Sequence, residues 1–302
     1  MFEAHGEVLA MQEIANSGRA RRSYADGPFG QVHFYDMGSG RPLVLLHQAP
    51  MSARQFDTVM PLLSAAGVRA IAIDLPGYGG SDGPDAPPTI ADYATAIPCV
   101  LDTLGLDQAD VLGHHTGALV ATELALSFPK RVGKLILNGP VPLTPEEQAV
   151  FREDSMRREK ASAAMEPDGS HLSTAFEHRA AFVAGSVPLE RVQQYVLWMA
   201  SVSAPAWYGH NAAFSYDHAG RMAGITHQTL VLTNTGDIIY EHVLRTRSLR
   251  PDFAFVALEG GGVDVVDQLP QAWTAAVVEF LNGPDSAASL TRPTAPAAAM
   301  PS

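Results

Sequence analysis

The chain alternates between two kinds of hydrophobic pattern. Short, nearly continuous apolar runs lie at residues 43–46, 68–73, 109–112, 132–137, 229–233 and 253–257. Runs of this length suit strands buried on both faces of a parallel sheet. Between them, apolar residues recur at helical spacing. Ile90, Tyr93, Ile97, Leu101 and Leu104 predict a helix opened by Thr89, kinked at Pro98 and stopped by Gly105. Residues 118–125 read as a second helix. Residues 270–281, with Trp273, Val277, Phe280 and Leu281 on one side, read as a closing helix ended by Gly283. Ser52 with Gln55 reads as a capping box for a helix after the first run. Near the start, residues 22–25 and 31–36 flank a turn-rich stretch from Asp26 to Gly30 and predict a hairpin. Strands and helices alternating at this spacing predict an α/β fold, a mostly parallel central sheet flanked by helices.

The pattern changes after Gly139 and Pro140. Thr144, Pro145 and Glu147 form a capping box with proline at the first helical position. Helical segments carrying Phe176, Phe182, Tyr195, Trp198, Trp207 and Tyr208 then run to about residue 218. Residues 141–225 are therefore expected to form a helical cap inserted into a core of residues 24–140 and 226–282. Residues 1–23 lack a clear pattern and are expected to be an arm. Residues 283–302 hold mostly Ala, Pro, Ser and Thr and are expected to be a disordered tail.

Composition removes several classes of function. A formal net charge of −12 argues against nucleic acid and anionic membranes as partners. No uninterrupted apolar run reaches membrane-spanning length, and Glu3, His5 and Glu7 leave no apolar segment for a signal peptide. Cys99 is the only cysteine, which excludes an intrachain disulfide and fits a reducing, cytoplasmic compartment. It is expected to be a buried core thiol. The expected partner is a small molecule, and the expected assembly a monomer or homodimer.

Four stretches carry the chemistry. The run from Pro42 ends at His47; a glycine-rich loop follows Asp74 to Asp82; Gly113-His114-His115-Thr116-Gly117 joins a strand to a helix; and the run from Leu230 ends at Asp237. Together they resemble the α/β-hydrolase family with an inserted cap, across about residues 24–282. In that family the turn between two glycines is a nucleophile elbow, G-x-Nu-x-G, and the triad follows in the order nucleophile, acid, histidine. The resemblance places His115 at the nucleophile position and Asp237 at the acid position. Counting back from Pro270 places Val263 where the family histidine stands. A valine neither takes nor gives a proton, so an ordinary serine hydrolase is not expected.

The two changes compensate on paper. An imidazole on the elbow reaches further than a hydroxymethyl group, so His115 is expected to meet Asp237 directly. Its other nitrogen is then left for a general base, or for a nucleophile working through an acyl-imidazole. The family's oxyanion donors map to the backbone N–H groups of Gln48 and Thr116. His47 and His114 read either as loop-holding residues or as pocket lining, and Trp207, Tyr208 and His210 as a pocket roof. The His47, His114, His115 and Asp237 group also invites a metal. Neighbouring residues at a strand end diverge, however, and no metal is expected. With no dinucleotide fingerprint or P-loop, no cofactor is expected either. The resulting expectation is a cofactor-independent enzyme hydrolysing an ester, lactone or C–C bond in a small, largely apolar carbonyl compound. The alternatives are a lyase, isomerase or cyclase using His115 as base, and a non-catalytic small-molecule binder.

Overall fold

The computed structural model describes residues 18–162 and 165–284. The strands are β1 (Arg21–Gly27), β2 (Gly30–Met37), β3 (Arg41–Leu46), β4 (Val68–Ile73), β5 (Ala109–His114), β6 (Val132–Asn138), β7 (Thr229–Asn234) and β8 (Ala254–Leu258). They form one sheet in the order β1-β2-β4-β3-β5-β6-β7-β8. The hairpin β1–β2 is antiparallel and joins β4 antiparallel; every other pairing is parallel. The helices are α1 (Met60–Ala65), α2 (Ile90–Thr103), α3 (Thr116–Ser127), α4 (Pro145–Ser162), α5 (Ser170–Val183), α6 (Leu189–Ala200), α7 (Tyr208–Ala213), α8 (His218–Met222), α9 (Tyr240–Leu244), α10 (Thr246–Leu249), α11 (Val265–Gln268) and α12 (Pro270–Asn282). No helix among the described residues is long and apolar enough to cross a membrane.

Successive strand residues face opposite sides of a sheet, so one continuous apolar run serves two cores. Val44 and Leu46 of β3, with Val111, Leu135 and Val231, pack under α2 and α3. Leu43 and Leu45, with Leu112, Ile136 and Leu232, pack against Phe56, Leu63, Trp273 and Phe280 on the other side. The helices α4 to α8 fall between β6 and β7 in the chain. Val183, Val187, Val192, Tyr195 and Trp198 among them gather with Met51 into a third, smaller cluster.

Several local expectations need correction. Ser52 precedes only a 3-10 turn, Ala53–Phe56, and makes no side-chain cap; the Gln55 amide is used elsewhere, as described below. Cys99 is partly exposed. It sits off the buried stripe of α2, and its thiol faces the Thr95 carbonyl on the outer side. The hairpin begins at Arg21, inside the stretch read as an arm. Residues 1–17 of that arm and the tail beyond residue 284 lie outside the described residues.

Candidate active site

The site lies at the C-terminal ends of β5, β6 and β7, where an open parallel sheet presents its loops. β5 ends at His114 and α3 begins at Thr116, so His115 makes the whole turn. Its φ of 47° and ψ of −110° are far from strand or helix values and costly for a residue with a Cβ. The turn is held by His115 N–H donating to Asn138 O at 2.8 Å and Ala118 N–H donating to His115 O at 2.8 Å. A Cβ on Gly117 would overlap the Leu46 carbonyl, so glycine is what lets the helix start against β3.

The His115 ring lies towards β7. Its Nε2 is 2.7 Å from Asp237 Oδ2; the carboxylate is fully buried, while the imidazole keeps 14 % of its surface exposed. Asp237 follows the tip of β7. Its N–H donates to Asn234 O at 3.1 Å, and its Oδ1 accepts from Ile239 N–H at 3.1 Å. Burial pushes the carboxyl pKa up. The His115 partner and the Ile239 N–H outweigh burial and hold it below the usual carboxylate value. An ionised Asp237 is an acceptor only, so Nε2 carries the proton and Nδ1 presents a lone pair. Nδ1 makes no hydrogen bond among the described residues.

Gly139 makes room for this ring. A Cβ there would stand 2.8 Å from His115 Nε2 and closer still to Cδ2, and its φ of +63° independently favours glycine. Nothing in the sequence marked Gly139 beyond its place at the end of an apolar run. His218 secures the same loop: its Nδ1 accepts from Val141 N–H at 3.1 Å, and its Nε2 donates to Thr122 Oγ1 at 3.0 Å. Burial drives its pKa down to about 3.

His47 and His114 are both fully buried. His47 Nε2 accepts from Leu75 N–H at 2.9 Å and its Nδ1 donates to Gln48 O at 2.9 Å, so it ties two loops together. Burial lowers its pKa. His114 is different. Gln55 Oε1 accepts from Gln48 N–H at 3.1 Å, which aims the Gln55 NH2 at His114 Nδ1. His114 therefore carries its proton on Nε2, a buried atom without a partner in this structure. Burial and the neighbouring His115 hold the His114 pKa well below its ordinary value. Gln55, read from the sequence as a cap, is thus a link between the loop after β3 and the elbow.

The expected oxyanion donors differ in availability. Thr116 N–H opens α3 and makes no backbone hydrogen bond outside the helix among the described residues. Gln48 N–H is engaged by Gln55 and must be released before it can serve an oxyanion. Val263 is partly buried in the loop after β8, which Asn234 Nδ2 anchors by donating to Gly260 O and Gly262 O at 3.2 and 3.1 Å. Next to it, Asp264 is buried and paired with Arg179 of α5; burial raises its carboxyl pKa in spite of that partner. Nothing in the sequence marked Arg179 as a partner for this loop.

Trp207, Tyr208 and His210 make their described contacts away from His115. Trp207 lies under Lys160 of α4 at 4.3 Å, Tyr208 OH donates to Asp85 O at 3.4 Å, and His210 faces Glu159 and stacks on Phe214. Over Ala49 of the loop after β3 lies backbone: Gly209 N–H donates to Tyr78 OH at 2.8 Å, and Gly209 packs on Ala49. The expectation that His114 and His115 diverge needs correction. The turn at His115 brings their ring centroids to 4.4 Å. One donor atom from each of His114, His115 and Asp237 lies within 4.8 Å of the others.

The family model for the alpha/beta hydrolase fold matches residues 41–187. The bifunctional epoxide hydrolase 2 of Sus scrofa is 38% identical over 110 residues, 35% of this chain and 19% of that protein. The 2-hydroxy-6-oxononadienedioate/2-hydroxy-6-oxononatrienedioate hydrolase of Burkholderia vietnamiensis (strain G4 / LMG 22486) is 40% identical over 119 residues, 38% of this chain and 41% of that protein. The matches thus span 19% to 41% of these two relatives' own length. Among solved structures, a hydrolase from Pseudomonas aeruginosa PA01 superposes with a TM-score of 0.73 at 22% identity, covering 87% of this chain and 99% of that one. Epoxide Hydrolase A from Mycobacterium thermoresistibile gives 0.71 at 21%, covering 88% and 99%.

Proposed function

Starting from a chain that has the fold of the α/β-hydrolase superfamily, we propose a hydrolase whose working base is His115, held by Asp237. The observation that carries this is the 2.7 Å contact between His115 Nε2 and Asp237 Oδ2 at a strained elbow. Asp237 keeps the proton on Nε2 and stabilises the imidazolium that forms, the part an aspartate plays in a serine triad. Nδ1 takes a proton from water as the water oxygen attacks a carbonyl carbon. Thr116 N–H, joined by Gln48 N–H once Gln55 lets it go, receives the charge on the carbonyl oxygen. Collapse of the tetrahedral adduct expels the leaving group, which takes the proton back from His115. Direct attack by Nδ1, through an acyl-imidazole, is the second form of the same dyad.

The substrate class is a small, largely apolar carbonyl compound: an ester, a lactone, or a ketone cleaved at its C–C bond. The likeness to a hydrolase of 2-hydroxy-6-oxononadienedioate supports including 2-hydroxy-6-oxo-dienoates in that class. Residues 141–225 act as the cap over this site, and Met51 in their apolar cluster supports that reading. A lyase, isomerase or cyclase would use the same base on a substrate C–H.

The test is a panel of esters, lactones and 2-hydroxy-6-oxo-dienoates assayed for turnover and, by calorimetry, for binding. Saturable turnover of at least one class is expected. Tight binding with no turnover anywhere on the panel would make the chain a receptor-like binder instead. Fluorophosphonate probes, which trap activated serines, are expected to leave the protein unlabelled.

A further inference from the structure

We propose that His114, His115 and Asp237 form a binding site for a borderline divalent ion of the zinc or cobalt(II) class, and that the ion silences the His115 base. The effect on turnover rests on the dyad reading; the binding does not.

Two independent observations meet here. The first is the donor set. One atom from each of two imidazoles and a carboxylate falls within 4.8 Å of the others, and N/O sets of this kind suit zinc-like ions. Adjacent ligands of a tetrahedral zinc ion stand about 3.3 Å apart, from bond lengths near 2.0–2.1 Å. Side-chain rotation at the elbow closes that difference. The second observation is His114 itself. It is fully buried, Gln55 engages its Nδ1, and its Nε2 has no partner in the structure. A buried polar atom left unpaired is costly, and an ion at Nε2 removes the cost.

Ligation shifts protons without net loss. His114 must present a lone pair at Nε2, so its proton moves to Nδ1. Gln55 then turns its carbonyl oxygen towards Nδ1–H and gives up Gln48 N–H, the bond it now accepts at 3.1 Å. At His115 the ion takes either the Nδ1 lone pair, which water would otherwise protonate, or the place of the Nε2 proton, which moves to Nδ1. Asp237 remains a carboxylate. In each case the lone pair that makes His115 a base is spent on the ion.

The experiment uses the full chain stripped of metal with chelator. Cobalt(II) is titrated and followed by visible absorption, and zinc by calorimetry. One ion per chain is expected. His114→Gln and the near-isosteric Asp237→Asn should each weaken binding at least tenfold, with circular dichroism showing that both remain folded. His178→Ala, on the exposed face of α5, should change nothing. Absence of stoichiometric binding, or binding that survives His114→Gln and Asp237→Asn unchanged, overturns the site. Zinc that binds with the expected variant pattern but leaves turnover untouched supports the site and overturns the dyad. No binding, together with a dead His115→Ala, does the reverse.

Discussion

The tips of the central strands and the helices laid against them are held by opposite means. β5, β6 and β7 are buried on both faces by apolar side chains, and their polar residues crowd towards the ends. The helices α4 to α8 add a few residues to one of these cores, gather a small apolar cluster of their own, and are further tied down by charges. Arg179 pairs with Asp264; Tyr195 OH donates to Asp267 Oδ2 at 2.6 Å, with Arg191 Nη2 3.6 Å from the same carboxylate; and Arg245 pairs with Glu147, which Thr144 also caps. Apolar burial is non-directional and roughly proportional to area, whereas removing one member of a buried pair strands the other. In the proposed enzyme the strand tips fix the chemistry, and the charged clasp fixes how the helices lie over it. The two should fail separately.

The largest effect belongs to the strand tips. His115→Ala should abolish nearly all turnover, and His115→Ser should not restore it, since Val263 cannot accept the serine proton. Gly139→Ala comes next. Its Cβ would displace the imidazole, and a misplacement of this size costs roughly 10²-fold in the chemical step. Asp237→Asn keeps the shape and loses the charge, with a drop of about 10²-fold, within the range of general acid–base effects. Single-turnover rates check these four variants, and melting curves should show the helices still docked.

The clasp should respond in the opposite sense. Arg179→Ala strands a buried Asp264, whose pKa is already raised by burial in spite of its partner. Stability should fall by about 3 kcal/mol or more, with KM rising more than kcat falls. The double change Arg179→Ala with Asp264→Asn should recover part of the loss, because no uncompensated charge remains. Chemical denaturation and steady-state kinetics on the three proteins read this out.

The smallest effect is acid sensitivity. The His218 pKa is about 3 in the folded chain against an ordinary 6.5. Between those values the unfolded chain binds a proton that the folded chain refuses. Stability therefore falls as pH drops from about 6.5 towards about 3, by up to about 1.4 kcal/mol per pH unit for this group. His47 and His114, also lowered, add with the same sign. Denaturation midpoints at pH 7 and pH 5 should differ less in His218→Gln than in the parent.

The sheet was legible because its apolar runs are unbroken, and the pairing of His115 with Asp237 because elbow and acid positions sit at recognisable ends of such runs. Gln55 was misread because Ser-x-x-Gln fits a helix cap and a loop link equally well; only the short 3-10 turn decides. Gly139 and the closeness of His114 to His115 depend on one unusual φ at His115, which no periodicity encodes. Arg179 and Asp264 are 85 positions apart, and a charge on a helix reads as solvated until its partner is in view.

The most direct test of the dyad is chemical rescue. His115→Ala is assayed with the best substrate of the panel while free imidazole is added. A cavity in place of the base should admit imidazole, so turnover should rise from near zero with imidazole concentration and saturate. Full turnover by His115→Ala with no imidazole present would contradict the account.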